Sequence, residues 1–305
     1  MGVFIRNLRS RFSSASMLMR FIYINIAVFL ILRIIGLGCI LFNIDPFLIV
    51  SYVEVPSALP LLLERPWTIL TYMFAQYDFL HILFNMLWLY FFGMIFLDFL
   101  SSKQFVGLYI IGGITGAILY IAAYNLFPYF YGQQGLLMGS SASVIAIVVA
   151  ISMRMPNYKM NLLFLGGVSL KWIAIITILI DVLSISSNNS GGHIAHIGGA
   201  IAGIIFVLLY RRGTDITHPI TVILDAFTNL FRKRPKFAIH DTHYSGNSKA
   251  KYHYSPLSDF QDHSTISKEE EDNLDVILDK IKKSGYTSLT DDEKKRLFEI
   301  SNNSK

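Results

Sequence analysis

The sequence predicts an all-α polytopic membrane protein, a bundle of six transmembrane helices that carries a soluble tail. Three observations support this. Of the 305 residues, 53% are hydrophobic and only 15% charged, against about a quarter charged in an average soluble domain. Mean hydropathy is +0.49. The charges also segregate, with 31 of the 47 Asp, Glu, Lys and Arg residues falling in 211–305. Together these exclude an ordinary cytosolic enzyme. The single cysteine, Cys39, lies in an apolar run, so an intrachain disulfide framework is excluded as well. A net charge of +5 and a pI near 9.1 raise the question of nucleic acid. The tail nearly balances, however, with 16 basic and 15 acidic residues. The excess sits at membrane edges, so no nucleic-acid partner is expected.

A helix crossing the hydrocarbon core needs about 20 mainly apolar residues. Six stretches qualify, at roughly 21–42, 80–100, 104–126, 139–155, 169–186 and 192–210. The fourth and fifth are short and the sixth is glycine-rich, as suits helices packed inside a bundle. Residues 1–20 are expected to form a cytoplasmic segment. The first hydrophobic run is long and no small-residue cleavage pattern follows it, which argues against a secretory signal. Arg6 stands where a myristoylation signal carries Ser or Thr. Arg and Lys then orient the bundle. With the N-terminus inside, the inner segments hold Arg6, Arg9, Arg11, Arg20, Lys103, Arg154, Lys159, Arg211 and Arg212, while the outer loops, about 43–79, 127–138 and 187–191, hold only Arg65. Arg33 falls within the first span and is expected to face the bundle or snorkel outward.

After the membrane domain, 21–212, the character changes. In segment 213–235, Ile220, Ile223, Leu224, Phe227, Leu230 and Phe231 share one helical face and Arg232, Lys233 and Arg234 follow. That pattern predicts a helix lying on the inner membrane surface. Residues 236–266 are polar and rich in His and Ser, and read as a flexible linker. In 267–305, Ser267 and Glu270 form a capping-box pattern before Leu274, Ile277, Leu278 and Ile281, and Gly285 ends that helix. A second box, Thr290 with Glu293, starts another helix. This small two-helix module suits docking or regulation better than chemistry.

Polar residues inside a membrane are costly and each asks for a reason. Three groups stand out. His81 and Asn85 lie four apart, on one face, at the start of span two. Ser140, Ser141 and Ser143 open span four after Gly139, and His193 and His196 begin span six. Spans two, four and six all run outside to inside, so the three groups share the outer third of the membrane. A serine hydroxyl needs a neighbouring base to become a nucleophile, and histidine titrates in the right range. Attack on an amide creates an oxyanion that needs preorganised donors. The first turn of helix four offers free backbone N–H groups and the positive end of the helix dipole. His81 and Asn85 add side-chain donors. Ala142, Ala146 and Ala150 on span four, and Gly199 and Gly203 on span six, repeat every four residues and let helix backbones approach closely.

Taken together, these residues resemble the rhomboid family of intramembrane serine proteases, over roughly residues 65–210. The family's HxxxN appears as His81 and Asn85, its GxSx element as Gly139 and Ser141, and its AHxxGxxxG as Ala195, His196, Gly199 and Gly203. Each motif alone is weak. All three in order, on the right spans and the right side, are specific. The resemblance implies a rhomboid-like six-helix bundle with a Ser–His dyad and no cofactor. Ser141 would be the nucleophile, His196 the base, and His81, Asn85 and the Ser141 backbone the oxyanion donors. It also implies membrane-anchored protein substrates cut in or near their transmembrane segments. Three positions depart from the pattern. Ala142 follows the serine where many members have Gly. Ile145 stands where many bacterial members place an aromatic residue on the base. The outer loop reads Arg65-Pro66-Trp67-Thr68 where the family often has Trp-Arg.

Each residue has a blander reading. Ser141 alone would be a helix cap, and Ser140 and Ser143 are expected to cap or pack. His196 alone would be a satisfied interhelical histidine, and His193 a loop stabiliser or water ligand. A metal site of His193, His196 and His81 finds no matching carboxylate or cysteine set, so no metal is expected. Asp181, near the outer end of span five, reads as an interfacial or cavity-facing carboxylate rather than a third catalytic member. The run Trp88, Tyr90, Phe91 and Phe92 reads as lipid-facing or packing surface. The rival functions are a catalytically silent relative that binds membrane proteins, and a transporter. The retained Ser and His argue against the first, and the lack of a half-to-half repeat against the second. The expected partners are transmembrane protein substrates and membrane lipid, with the tail's partner unassigned. No presequence or eukaryotic sorting signal is evident, which points to a bacterial inner membrane with both termini cytoplasmic.

Overall fold

The computed structural model describes residue 6 and residues 10–162, 166–187, 189–231, 276–277, 279–283 and 288–295. Six helices follow in the expected order: α1 (Met17–Leu41), α2 (Phe79–Phe99), α3 (Ser102–Leu126), α4 (Ser141–Arg154), α5 (Leu170–Leu183) and α6 (Ser190–Tyr210), with α7 (His218–Phe231) after them. The protein is an all-α polytopic membrane bundle, and α1, α2, α3 and α6 are long and apolar enough to cross a membrane. Helices α4 and α5 have only 14 residues each, about 21 Å at 1.5 Å per residue. That falls short of the roughly 30 Å hydrocarbon core, so the six stretches do not yield six full-length helices. Non-helical chain is tolerated at membrane depth where protein surrounds it. This fits α4, in which Ala142 to Ser152 are all buried.

Local chemistry sets the helix ends. The Ser16 side chain accepts the Met19 N–H at the start of α1, and Asp78 accepts the His81 N–H at 2.8 Å at the start of α2. Helix α2 stops where Leu100 turns extended, and Ser101 with Gln104 forms a capping box that begins α3. An unexpected hairpin joins α4 to α5, in which β3 (Lys159–Leu162) pairs antiparallel with β4 (Gly166–Ser169). Gly166 supplies a φ of +69° there.

Small residues make the bundle interior. A Cβ on Gly199 would overlap the carbonyl oxygen of Ala142, and one on Gly203 would lie 2.5 Å from that of Ala146. Helix α3 adds a set the motif analysis did not include. A Cβ on Gly116 would lie 2.6 Å from the Ala142 Cβ and 2.9 Å from the Ala195 carbonyl oxygen. Helices α3, α4 and α6 therefore meet backbone to backbone. Arg33 is exposed, with its guanidinium carbon 4.7 Å from the centre of the Tyr77 ring.

The loop between α1 and α2 is tied down next to α4. Strand β1 (Val55–Pro56) pairs with β2 (Leu136–Leu137) just before Gly139, and Asn125 donates to the Ser57 carbonyl at 2.8 Å. The Arg65-Pro66-Trp67-Thr68 segment anchors this loop in its own way. The Arg65 guanidinium stacks 3.9 Å from the Tyr52 ring centre, the Trp67 Nε1–H donates to the Tyr52 carbonyl at 2.9 Å, and the Thr68 hydroxyl donates to the Arg65 carbonyl at 2.7 Å.

Helix α7 corrects the expected face of the 213–235 segment. Thr221 is buried and Leu224 half-buried, a side that lies against α3 with Lys103 paired to Asp225 at 2.6 Å. Ile223 and Phe227 are 64% and 61% exposed. One side thus docks on protein, and the opposite side, with Ile223 and Phe227, is exposed. The chain divides into two compact units, Met1–Pro235 and Lys236–Lys305. In the second, residues 279–283 and 291–295 are helical. The Glu293 carboxylate accepts the Thr290 N–H at 2.7 Å and pairs with Lys280 at 2.8 Å. The expected basic run Arg232–Arg234, the linker 236–266, the Ser267/Glu270 box, Leu274, Leu278 and Gly285 lie outside the described residues.

Candidate active site

The site is assembled from the N-terminal ends of α2, α4 and α6 and the C-terminal end of α5. Gly139 has a φ of +134° and donates its N–H to the Tyr72 carbonyl at 3.0 Å, a conformation that L side chains rarely adopt. A Cβ there would lie 2.8 Å from His81 Cε1, 3.3 Å from His81 Nε2 and 3.6 Å from Ser141 Oγ. The missing side chain is what allows His81 and Ser141 to approach one spot. Ser140 takes the N-cap position and Ser141 opens α4, so the N–H groups of this first turn have no intrahelical acceptor. Of the three serines, Ser140 and Ser143 are fully buried and Ser141 is partly exposed. A cleft of 260 Å³ opens onto it, lined by Asn85 and Trp88 from α2, Ser141 and Ile145 from α4, Asp181 from α5 and His196 from α6, among others.

Asp181 settles a point the sequence left unanswered. Its Oδ1 lies 2.8 Å from His196 Nδ1 and 2.8 Å from His193 Nδ1, and Asp181 itself is buried. Of the two expected readings, interfacial or cavity-facing, the cleft fits the second, and the carboxylate also reaches His196. A carboxylate oxygen only accepts, so a neutral ring facing it carries its proton on Nδ1 and leaves the Nε2 lone pair free. Asp181 thus holds the His196 ring where an aromatic neighbour is absent, and Ile145 only lines the same cleft. The trio of His193, His196 and His81, already set aside from the sequence, is not what the fold brings together. Asp181, His193 and His196 group instead, with donor atoms within 4.8 Å of one another.

Behind the serine runs a buried polar network that the motif analysis missed. The Asn85 amide donates to Gln76 Oε1 at 2.7 Å, and the Gln76 amide lies 3.2 Å from both Asn25 Oδ1 and Ser140 Oγ. The Asn25 amide reaches the Tyr109 hydroxyl at 3.3 Å, and that hydroxyl donates to the Met73 carbonyl at 2.7 Å. Asn85 therefore does tie span two to its outer loop, as the bland reading had it. Asn85 also lines the cleft, and its amide has a second hydrogen to donate. Asn25 was detectable as an intramembrane polar residue, whereas Gln76 sits in a loop and carried no such signal. Within the aromatic run, Trp88 lines the cleft and stacks on Phe92 at 5.2 Å, while Tyr90 and Phe91 are exposed.

Residues 63–213 match the Rhomboid domain model, and residues 266–303 match a family of unknown function. Among curated proteins, the chain is 26% identical over 148 residues to "Presenilin-associated rhomboid-like protein A, mitochondrial" of Danio rerio, covering 46% of this chain and 37% of that protein. It is 29% identical over 160 residues to "RHOMBOID-like protein 12, mitochondrial" of Arabidopsis thaliana, covering 49% of this chain and 48% of that one. The chain thus spans less than half the length of each relative. Both names carry "mitochondrial", so the expected bacterial inner membrane gains no support from them. The matched region takes in all three motifs and the helices that bring them to one cleft, and residues 63–213 are a rhomboid domain.

Proposed function

We propose that this protein is an intramembrane serine endopeptidase that cleaves membrane-anchored proteins in or near their transmembrane segments. The observation that carries the reading is the cleft where partly exposed Ser141 meets His196, whose Nδ1 is held by Asp181. In the reaction, Ser141 Oγ attacks the substrate carbonyl carbon as His196 Nε2 takes the hydroxyl proton. The carbonyl π electrons move onto oxygen. The resulting oxyanion is met by the Ser141 N–H at the positive end of α4, by His81 and by the free amide hydrogen of Asn85. Collapse expels the amine, which takes the proton back from His196. Water then repeats the sequence on the acyl-enzyme with the same base. Asp181 acts through His196 as a positioning residue, and Gly139, Ala195, Gly199 and Gly203 hold the helices at the required spacing. The charge asymmetry of the loops supports a cleft that opens on the outer side, with the N-terminus and the 213–235 segment inside.

Covalent labelling tests the reading. A fluorophosphonate phosphonylates an activated serine, the P–O bond forming as fluoride leaves, so detergent-solubilised wild type should label, Ser141→Ala and His196→Ala should not, and Ser140→Ala should. Failure of folded wild type to label would favour a silent member that binds membrane proteins without cutting them.

A further inference from the structure

We propose that Asp181, His193 and His196 form a reversible binding site for a borderline divalent cation of the Zn²⁺ class, and that its occupation silences the base. The first half stands on donor chemistry and geometry alone. The second half rests on the reading of His196 as the base of a serine protease.

His193 and His196 are three apart on α6, so they share a face, and α5 brings Asp181 up to that face. Two imidazole nitrogens and one carboxylate oxygen suit zinc, which commonly takes three protein ligands and keeps a fourth position for water. Both Nδ1 atoms already converge on one carboxylate oxygen at 2.8 Å, and the three donor atoms lie within 4.8 Å of one another. The two rings stand at 83° with centroids 5.9 Å apart, so their Nδ1 edges point toward a shared centre without stacking. In a tetrahedral site with bonds of about 2.0–2.1 Å, neighbouring donors stand about 3.3 Å apart. Rotation of the side chains supplies that change, with no movement of the backbone. The site is reachable, since both histidine side chains are 18% exposed and the carboxylate 7%.

The consequence for His196 follows from its tautomer. Facing Asp181, the neutral ring holds its proton on Nδ1 and its lone pair on Nε2. A cation bound at Nδ1 takes the lone pair there, and the ring's proton must move to Nε2. The proton count is unchanged, but Nε2 is now a donor and cannot accept the Ser141 proton. Removing the cation reverses the shift.

The test uses the full chain in detergent, purified without a histidine tag and stripped with chelator. Co²⁺ is titrated as a spectroscopic stand-in, Zn²⁺ is then used to compete it off, and fluorophosphonate labelling is followed in parallel. Wild type and Ser141→Ala should each bind one cation with the visible bands of a tetrahedral site. His193→Ala should bind at least tenfold more weakly. His193→Gln, which can still donate a hydrogen bond to Asp181, should be weakened equally and covers the case in which the alanine variant misfolds. Labelling of metal-free wild type should fall at least tenfold with saturating Zn²⁺ and return with chelator, and the ratio with and without Zn²⁺ should approach one in His193→Gln. Absence of stoichiometric binding overturns the site whatever the labelling does. Binding that leaves labelling undiminished overturns the silencing. Binding by a wild type that never labels overturns the silencing together with the protease reading, and leaves the site standing.

Discussion

Helices α5 and α6 face the same cleft and are built on opposite principles. Helix α6 packs against α3, α4 and α5, and its glycines press on backbone: Gly198 toward the Thr115 carbonyl, Gly199 and Gly203 toward carbonyls of α4. Helix α5 buries only Leu170, Ile173, Ala174 and Asp181. Trp172, Ile175, Ile176, Leu179, Ile180, Val182 and Leu183 are each about half exposed or more. Backbone contact leaves no side chain to rearrange, so it fixes the distance between Ser141 and His196 by shape. The other helix is held by a few apolar contacts and one carboxylate, and it contributes orientation of a single ring. The difference teaches that this site divides its labour, with distance set by α4 and α6 and ring direction set from α5.

The comparison breaks most severely at Gly199. Leucine there would drive its Cβ into the Ala142 carbonyl oxygen, and no rotamer relieves a clash with backbone. Overpacking of this kind costs about 1–3 kcal/mol where side chains can give, and more where they cannot. Gly199→Leu should therefore lose most folded protein and all labelling, read by thermal unfolding in detergent. A Gly199→Leu variant that unfolds like wild type would show that α6 is not positioned by its glycines.

Asp181→Asn comes next and separates distance from direction. Helix packing should survive, with an unfolding temperature near that of wild type. The loss of ring orientation and of the required tautomer should slow reaction at Ser141 by up to about 10⁴-fold, the drop that follows when the carboxylate of a serine triad is neutralised. Asp181→Glu should recover part of that rate, which a purely structural role would not predict. Similar rates in Asp181→Asn and wild type would reduce the site to a dyad whose ring is held by packing alone.

The same division explains what could be read from the sequence. The glycine and alanine repeats of spans four and six were legible because they recur at helical spacing, and with them the placing of Ser141 and His196 on one cleft. The contribution of α5 was not. A lone aspartate near a helix end has a commonplace reading, and only the fold shows that the Nδ1 edges of His193 and His196 meet it. The third small-residue helix carries the same signal, since Gly112 and Gly116 stand four apart, as do Gly113 and Ala117, but no catalytic residue type beside them drew attention to it. The β3–β4 hairpin escaped because two four-residue strands around a turn leave little periodicity to detect. The shortness of α4 was visible as a short apolar run, but its meaning depended on how much protein surrounds it.

A third prediction concerns the support behind the serine. Gln76→Leu would remove the acceptor of Asn85 and the donor to Asn25 and Ser140. Buried groups left unpaired cost about 1–3 kcal/mol. The unfolding temperature should fall by an amount between those of the Gly199 and Asp181 variants. Labelling should fall also, because the Asn85 amide is no longer held toward the cleft. Unaltered labelling in a destabilised Gln76→Leu protein would remove Asn85 from the oxyanion site and leave it a tie between α2 and its loop.

The smallest expected effect sharpens the contrast on the α5 side. Ile176 is 51% exposed on the outer face of that helix, and hydrocarbon tails are as apolar as the side chain they meet, so burying it offers little net gain. Ile176→Ala should change unfolding by no more than about 0.5 kcal/mol, as for substitutions away from packed features. It should leave labelling by the small fluorophosphonate unchanged. Cleavage of a transmembrane protein is the discriminating readout, because such a substrate must pass beside the helices that flank the cleft. An altered cleavage rate with unaltered labelling would mean that the exposed face of α5 helps admit the substrate. Equal loss of both would mean that this face supports Asp181 more firmly than its exposure implies.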